Sequence, residues 1–381
     1  MTRPDAAPGT TPDAPARPLS ATRAPAPSAG TSDPAVRAAL RAAERDPAGL
    51  GDAACTALLL ADGRDLEALC ALADGVRRDA VGDELTFVVN RNLDTAVVLE
   101  EDAPQLLAEA VALGATEVCV QGPLPEDAPA DGYLRLVRLV AEHARGVHLH
   151  AFRPAEVADA AARLGTSPRE FLLAARAAGL GSVCGTAAKV LDDDVRTRLN
   201  GGVPDLPVAR WLELVATAHA AGLRSTATVV HGHVETPAQQ VAHLRLLADL
   251  QDRTGGFTEF IPMPFLPPAG PLPPGCRPGP DAREVRALTA VARLLLHGRI
   301  DHVQTAWTKV RPDVVEQLLR GGADDLGGLL VDGALRPGAG AEAGRELTRA
   351  DVAALGERLG RRVRQRTTLY GDVPAAPGGR W

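Results

Sequence analysis

The chain has 381 residues, of which 45% are hydrophobic and 23% charged, and its formal net charge at pH 7 is -7. This length allows one large α/β domain with extensions. Nucleic-acid binding relies on an excess of Lys and Arg, so the acidic balance argues against nucleic acid as a partner. No run approaches the roughly 18 apolar residues of a membrane span. The five cysteines lack CxxC spacing and no signal-peptide core precedes them, so we expect a reduced, cytoplasmic protein.

Four regions follow one another along the chain. Residues 1–33 are rich in Pro, Ala, Thr and Ser, a composition that buries too little apolar surface to fold, and we predict a disordered tail. In residues 34–83, apolar positions at helical spacing predict a helical extension. From 84 to 312, short apolar runs alternate with amphipathic stretches, which is typical of repeated βα units. For residues 313–381 we predict a C-terminal helical tail, which contains two helices and packs on the barrel.

The alternating region predicts a parallel sheet closed into a barrel. Strands are predicted at 84–90, 116–121, 147–152, 181–184, 224–230, 257–263 and 302–306. Helices are predicted near 102–113, 132–145, 154–178, 207–221, 236–253 and 282–297. Six or seven βα units make a complete or partial (β/α) barrel. Residues 266–280, rich in Pro and Gly, predict a long loop over one mouth.

The first predicted strand is the apolar run TFVVNRN at 86–92. In α/β barrels the chemistry is carried by loops at the carboxyl ends of the strands. The residues after Asn92 run almost directly into the helical segment 101–113 and contain no Cys, His or Gly-rich phosphate cradle. The first loop therefore lacks the residues on which such a site would depend.

Two His-x-His pairs are candidates for a functional site. His148 and His150 lie on the third predicted strand, and His231 and His233 lie at the end of the fifth. Residues i and i+2 of a strand share a face, so each pair could aim two imidazoles at the barrel mouth, where Glu259 could add a carboxylate. This set predicts a metal or acid–base site. The alternative is a set of polar strand ends that hydrogen-bond a ligand or neighbouring loops.

Two glycine-containing turns follow the second and fourth strands, where backbone N–H groups could meet an anionic ligand. The turn residues are Gln121, Gly122, Gly185 and Thr186. The nearby Cys119 and Cys184 are interpreted as buried small hydrophobic residues before they are interpreted as ligands.

Several longer segments resemble one known family. They include ATEVCVQG (115–122), HLHAFRPAEV (148–157), GLGSVCGTAAKVLDDDVR (179–196) and GLRSTATVVHGHVETP (222–237). Over residues 35–372 the chain resembles the CofH half of FO synthase, a radical S-adenosylmethionine (SAM) enzyme. The resemblance implies a radical SAM barrel, a 4Fe–4S cluster and SAM as family cofactors. It also implies transfer of a tyrosine-derived 4-hydroxybenzyl fragment to 5-amino-6-ribitylaminouracil in coenzyme F-420 biosynthesis.

The chain departs from this family on the cofactor side. In the family, the loop after the first strand carries CxxxCxxC, whose three thiolates hold the cluster. Here no cysteine lies between Cys70 and Cys119. Pro123 and Lys189 replace the Gly and the Glu that the family has at these places. We therefore expect no metal ligands and no cofactor in this chain, which would make it a pseudoenzyme.

The resemblance also sorts the candidate residues into two groups. Remnants of the SAM side are Gln121, Gly122, Gly185 and Thr186. Substrate-binding candidates are His148, His150, His231, His233, Glu259, Gln304 and Arg366. The leading interpretation is a non-catalytic CofH-like barrel that binds a small molecule or acts with an FO synthase partner protein. The alternative is a barrel similar to metal-dependent hydrolases that uses the His-x-His pairs.

Overall fold

A computed structural model describes residues 33–186, 188–268, 270–331 and 347–373. The predicted disordered tail lies outside the described residues, except for Asp33. Within these ranges, no helix combines the length and the apolar character needed to cross a membrane.

The centre of the structure is a parallel sheet. Its strands are β1 (Glu84–Asp94), β2 (Glu117–Gln121), β3 (His148–Ala151), β4 (Leu180–Val183), β5 (Arg224–His231), β6 (Phe257–Pro264), β7 (Asp325–Leu330) and β8 (Arg362–Gln365). Their order is β6-β5-β4-β3-β2-β1-β7, and β8 also pairs with β1. Bridges from Phe260 to Val303 and from Gln304 to Asp325 connect β6 to β7. The two edges of the sheet are thus joined, which confirms the predicted (β/α) barrel.

Helices surround this sheet and extend it at the amino-terminal end. They are α1 (Pro34–Ala43), α2 (Asp52–Leu59), α3 (Gly63–Val81), α4 (Ala103–Ala112), α5 (Gly132–His143), α6 (Pro154–Leu164), α7 (Pro168–Ala178), α8 (Asp193–Leu199), α9 (Val208–Ala220), α10 (Pro237–Thr254), α11 (Ala282–Leu295), α12 (Pro312–Leu319) and α13 (Arg349–Leu359). The N-terminal helices α1 to α3 share one apolar core with the barrel, since Leu58 and Leu69 are buried in the same cluster as Leu288 of α11.

The single helix predicted over 154–178 is two helices, α6 and α7. Gly165 ends α6 in the left-handed conformation at φ 64°. Ser167 then begins α7, where its hydroxyl accepts from the Glu170 N–H in a capping box. A residue that precedes a proline is disfavoured in the helical backbone conformation. Ser167 precedes Pro168, so α6 does not continue through it.

Strands β7 and β8 were not predicted from the sequence. Helices α12 and α13 confirm the two helices predicted after residue 312, but the segments around them form strands beside β1. The sheet therefore extends beyond residue 312, where the sequence analysis ended the barrel. Strand β7 was not predicted because it contains two glycines, which are weak strand formers. They are needed there because a Cβ on Gly328 would lie 2.0 Å from Oδ1 of Asn90, and one on Gly327 would lie 1.6 Å from Nε2 of Gln304.

The strand predicted at 302–306 is also reduced in the structure. Only Val303 and Gln304 form bridges to neighbouring strands. Ala306 has a φ of 45°, which turns the chain into a short 3₁₀ helix, Trp307–Lys309. A non-glycine residue at positive φ does not continue a strand.

A buried imidazole ties α10 to the sheet. His243 Nδ1 accepts a hydrogen bond from Leu191 N at 3.0 Å, and its Nε2 donates to the Thr228 carbonyl at 3.0 Å. Both ring nitrogens are thus satisfied in the neutral form. Burial lowers the pKa of His243 from 6.5 to about 3.

This imidazole should make the fold sensitive to acid. As pH falls, the unfolded chain takes up a proton near pH 6.5 while the folded chain resists it, so stability is lost between pH 6.5 and about 3. At about pH 5 the loss from one such group is about 2 kcal/mol. We expect His243→Gln to reduce the pH dependence of the free energy of unfolding by about this amount, measured by urea denaturation at about pH 7 and pH 5. His143→Gln, on α5, is the control, and an equal pH dependence in all three proteins would contradict the prediction.

Candidate functional site

A cavity of about 160 Å³ lies inside the barrel. Its polar wall includes Asn90, Asn92, Glu117, Gln121, His150, Thr186, Thr226, Glu259, Gln304 and Arg366. A cavity of roughly 150 Å³ is enough to hold benzene, so this one accommodates a single aromatic or pyrimidine ring. Of the residues proposed from the sequence, Gln121, Thr186, His150, Glu259, Gln304 and Arg366 line this cavity. Gly122, Gly185, His148, His231 and His233 do not.

His148 and His150 converge on one hydroxyl. His148 Nε2 and His150 Nδ1 each lie 2.7 Å from Ser182 Oγ on β4. Burial lowers the pKa of both imidazoles from 6.5 to about 4, so both are neutral at pH 7. The prediction that all four histidines lie at the carboxyl mouth is wrong for His148, which begins β3 at the amino end of the strand.

The second pair faces away from the cavity. His231 is fully buried at the end of β5, on the same face as Ala227, which packs in the core with the surrounding helices. Neither of its ring nitrogens has a hydrogen-bond partner among the described residues. His233 follows the strand, and its ring nitrogens lie 2.9 Å from the Val230 carbonyl and 2.9 Å from Glu235 Oε2. Alternation along a strand shows which residues share a face but not where that face points. The face of β5 that carries His231 points toward the surrounding helices and not into the barrel.

Glu259 and Arg366 belong to a buried ionic cluster toward the amino ends of the strands. The Arg366 guanidinium donates to both carboxylate oxygens of Asp325, at 2.6 and 2.8 Å, and to Glu259 Oε2 at 3.0 Å. Thr86, near the start of β1, donates to Asp325 at 2.5 Å. Tyr370 donates its hydroxyl proton to Glu259, and the Arg366 guanidinium carbon lies 3.9 Å from the centre of its ring. Asp325 and Tyr370 were not predicted as site residues. Asp325 pairs with Arg366, and Tyr370 hydrogen-bonds to Glu259.

The environment of Glu259 makes it a poor partner for the His-x-His pairs. Burial raises the pKa of Glu259 to about 7, although the Arg366 charge opposes this effect. In the described part of the chain, Glu259 and the two pairs do not form a group of metal ligands. The ligand set of the hydrolase-like alternative is therefore not assembled.

The turn residues divide into two kinds. Thr186 donates its hydroxyl proton to Gln121 Oε1 at 2.9 Å, so these two side chains are joined on the cavity wall. The two glycines are engaged by the protein itself. Gly122 N–H donates to the Glu156 carboxylate at 2.9 Å, and Gly185 N–H donates to the Thr226 hydroxyl at 3.0 Å. These two N–H groups are not available for the anionic ligand that the sequence suggested.

The cysteines do not fit a 4Fe–4S cluster with an open iron. After β1 the chain passes through the 3₁₀ turn Val97–Leu99 into α4 without a cysteine. Cys55 and Cys70 are buried in the N-terminal helices, and Cys276 lies in the loop before α11. Only Cys119 and Cys184 lie close together near the cavity, and three thiolates are needed. Lys189 forms an ion pair with Asp205 at 2.8 Å.

The structure brings together three groups that the sequence analysis had treated separately. Cys119, His150 and Cys184 are buried, and one potential ligand atom from each lies within 4.8 Å of the other two. Polar residues of the cavity wall that were not predicted from the sequence include Asn90, Asn92, Glu117 and Thr226. Asn90 Nδ2 lies 3.4 Å from Glu117 Oε1. Glu117 could have been predicted as a site residue, because it is a carboxylate at the start of a strand whose next three residues are apolar. No local pattern in the sequence predicts that the two cysteines and the histidine converge, because their contact depends on strand register.

Known proteins similar to this chain share most of its length. No known protein-family model matches it. FO synthase of Mycobacterium leprae is 47% identical over 362 residues, covering 89% of this chain and 42% of the relative. FO synthase of Streptomyces coelicolor is 44% identical over 366 residues, covering 90% and 42%. The chain therefore spans less than half the length of these relatives.

A shorter relative and two solved structures complete the comparison. The 5-amino-6-(D-ribitylamino)uracil–L-tyrosine 4-hydroxyphenyl transferase of Methanospirillum hungatei is 37% identical over 330 residues, covering 80% of this chain and 89% of the relative. Methylornithine synthase matches with a TM-score of 0.62 at 18% identity, over 85% of this chain and 97% of its own. The FeFe-hydrogenase maturase HydG from Carboxydothermus hydrogenoformans matches with a TM-score of 0.63 at 12% identity, over 88% and 80%.

The two solved structures show the fold alone, because their sequences are distant. The Methanospirillum protein shows the family, because the match covers nearly all of it. The resemblance stated from the sequence is thereby confirmed. The chain belongs to the CofH-type radical SAM family of FO synthases and 5-amino-6-(D-ribitylamino)uracil–L-tyrosine 4-hydroxyphenyl transferases, whose cofactors are a 4Fe–4S cluster and SAM.

Proposed function

We propose that this chain is a CofH-type barrel that binds a ring-containing small molecule but does not perform radical SAM chemistry. The observation that carries the proposal is the segment after β1, which reaches α4 without any thiolate. Reductive cleavage of SAM needs an electron from a cluster, and one short loop supplies converging thiolates far more readily than scattered strands do. The chain therefore keeps the family's barrel while lacking its cofactor.

The cavity supports a binding role. Its size suits one ring, and its wall offers both hydrogen-bond donors and acceptors. Asn90 and Glu117 lie side by side on this wall, with Asn90 Nδ2 3.4 Å from Glu117 Oε1. A hydrogen bond from a ligand N–H or O–H to an acceptor on the wall contributes about 0.5–1.5 kcal/mol, and more when the acceptor is charged. The two molecules in the name of the Methanospirillum relative, L-tyrosine and 5-amino-6-(D-ribitylamino)uracil, each contain one ring and such donors.

Two measurements test this proposal. Isothermal titration calorimetry should detect binding of at least one of these two molecules. Anaerobic incubation with iron, sulfide, SAM and a reductant should give no 5′-deoxyadenosine above the protein-free control, whereas the Methanospirillum relative treated identically should produce it. Formation of 5′-deoxyadenosine by this chain would refute the absence of radical chemistry. Failure of both molecules to bind would refute the binding role.

A substitution locates the binding site. Asn90→Ala should weaken binding by roughly 2-fold to 10-fold, because it removes a polar amide from the cavity wall. Asn200→Ala is the matched control, since Asn200 caps α8 and does not line the cavity. Equal affinity of the Asn90→Ala and Asn200→Ala proteins would place the ligand elsewhere.

A further inference from the structure

We propose that Cys119, His150 and Cys184 form a binding site for a soft divalent cation, with Zn²⁺ as the first expectation. This inference goes beyond the proposed function and needs neither SAM nor an iron–sulfur cluster. The two cysteines alone are too few for an iron–sulfur cluster. The structure adds the imidazole and so completes a three-ligand set.

The distances suit a tetrahedral ion. The three potential ligand atoms lie within 4.8 Å of one another. Zinc–sulfur bonds of about 2.3 Å place two tetrahedral sulfur ligands roughly 3.8 Å apart. Closure of about one ångström, within reach of side-chain rotation, therefore completes the site.

Two of the ligands lie on paired barrel strands, and the third is held beside them by a backbone hydrogen bond. Cys119 on β2 and His150 on β3 are direct Cα partners in the parallel pairing. Cys184 follows β4, and its N–H donates to the Phe152 carbonyl at 3.1 Å, which holds it beside β3. Ligands on strands keep their geometry better than ligands on loops. The site is thus preorganised in the absence of the ion.

Ser182 can hold the imidazole ligand in the tautomer that binds a cation. Its hydroxyl lies 2.7 Å from both His148 Nε2 and His150 Nδ1 and can donate only one proton. When it donates to His148, it accepts from the Nδ1–H of His150. The lone pair of His150 then resides on Nε2, the nitrogen available to the cation. Metal-bound histidines commonly show such a partner on the other ring nitrogen.

The site faces the cavity on one side. Cys119 and His150 line the cavity, whereas Cys184 does not. The set resembles the Cys₂His ligation of catalytic zinc sites, in which three protein ligands leave the fourth position for water or substrate. A ring bound in the cavity would therefore lie next to the open position of the ion.

Metal titration of the full chain tests this proposal. Reduced, metal-free protein should bind about one Zn²⁺ per chain, measured by elemental analysis after desalting. Titration with Co²⁺ should give sulfur-to-cobalt charge-transfer absorption and the visible bands of tetrahedral cobalt. Sulfide is omitted, so that no iron–sulfur cluster can form. Less than about one tenth of an equivalent of either ion would overturn the proposal.

Substitutions assign the ligands. Cys119→Ser, Cys184→Ser and His150→Ala should each weaken Co²⁺ binding at least tenfold and reduce the charge-transfer band. Cys276→Ser is the matched control, because it removes a cysteine outside the set. Circular dichroism of the metal-free variants shows whether each is folded, and a folded Cys184→Ser protein that binds as tightly as the control would overturn the site. Ser182→Ala should weaken binding about 10-fold to 100-fold at unchanged stoichiometry, and unchanged affinity would overturn the assignment of Nε2.

Discussion

Arg366→Met is expected to lower the free energy of unfolding by about 3–5 kcal/mol, because it breaks a buried ion pair from one side. Arg366 and Asp325 are almost fully buried, and the guanidinium makes two hydrogen bonds to Asp325 and one to Glu259. Without the guanidinium, the Asp325 carboxylate loses its compensating charge in a site that excludes water. Glu259 suffers less, since its pKa of about 7 already allows it to hold a proton near neutrality.

The measurement is urea denaturation at about pH 7 with matched controls. Arg320→Met removes a guanidinium that pairs with Glu316 at 3.0 Å on the surface, and it should cost less than about 1 kcal/mol. Combining Arg366→Met with Asp325→Asn should recover part of the loss, because the amide carries no charge. A loss from Arg366→Met no larger than that from Arg320→Met would contradict the argument.

Gly185→Ala is expected to cost at least about 3 kcal/mol or to abolish cooperative folding. A Cβ at this position would lie 1.5 Å from the Thr226 carbonyl oxygen. That oxygen belongs to the backbone of β5, so it cannot move aside as a flexible side chain does. Gly185 is also held on both sides, since its N–H donates to the Thr226 hydroxyl and its carbonyl accepts from the Thr228 hydroxyl at 2.9 Å.

The same substitution in a helix gives the control for Gly185→Ala. Gly75 lies in α3, and a Cβ there meets nothing within 4 Å. Gly75→Ala should therefore raise the stability by about 0.5–1 kcal/mol, as expected for glycine replaced by alanine inside a helix. Thermal unfolding of both variants beside the parent chain decides the matter. Similar melting temperatures for the two variants would contradict the prediction, because they would show that the β5 backbone can move away from a Cβ at position 185.

The sequence by itself determined the type of fold and the absence of cysteines from the segment after β1. Alternating apolar runs and amphipathic stretches predict parallel βα units because each element must bury one face, and these signals are local. Gly165 and Ser167 also mark helix ends by local rules, although the prediction joined α6 and α7 into one helix. The missing cysteines after β1 are likewise a matter of residue order. The family followed from long matching segments, which the relatives confirm.

Only the tertiary structure decided which of the candidate residues meet. Alternation places His231 and Ala227 on one face but does not show that this face points outward. Strand β7 escaped prediction because its glycines are required by contacts with the distant Asn90 and Gln304. Arg366 finds Asp325 across 41 residues, and Cys119 meets His150 and Cys184 only through the register of three parallel strands. Register and facing are set by non-local pairing and by closure of the barrel, which no local pattern of residues encodes.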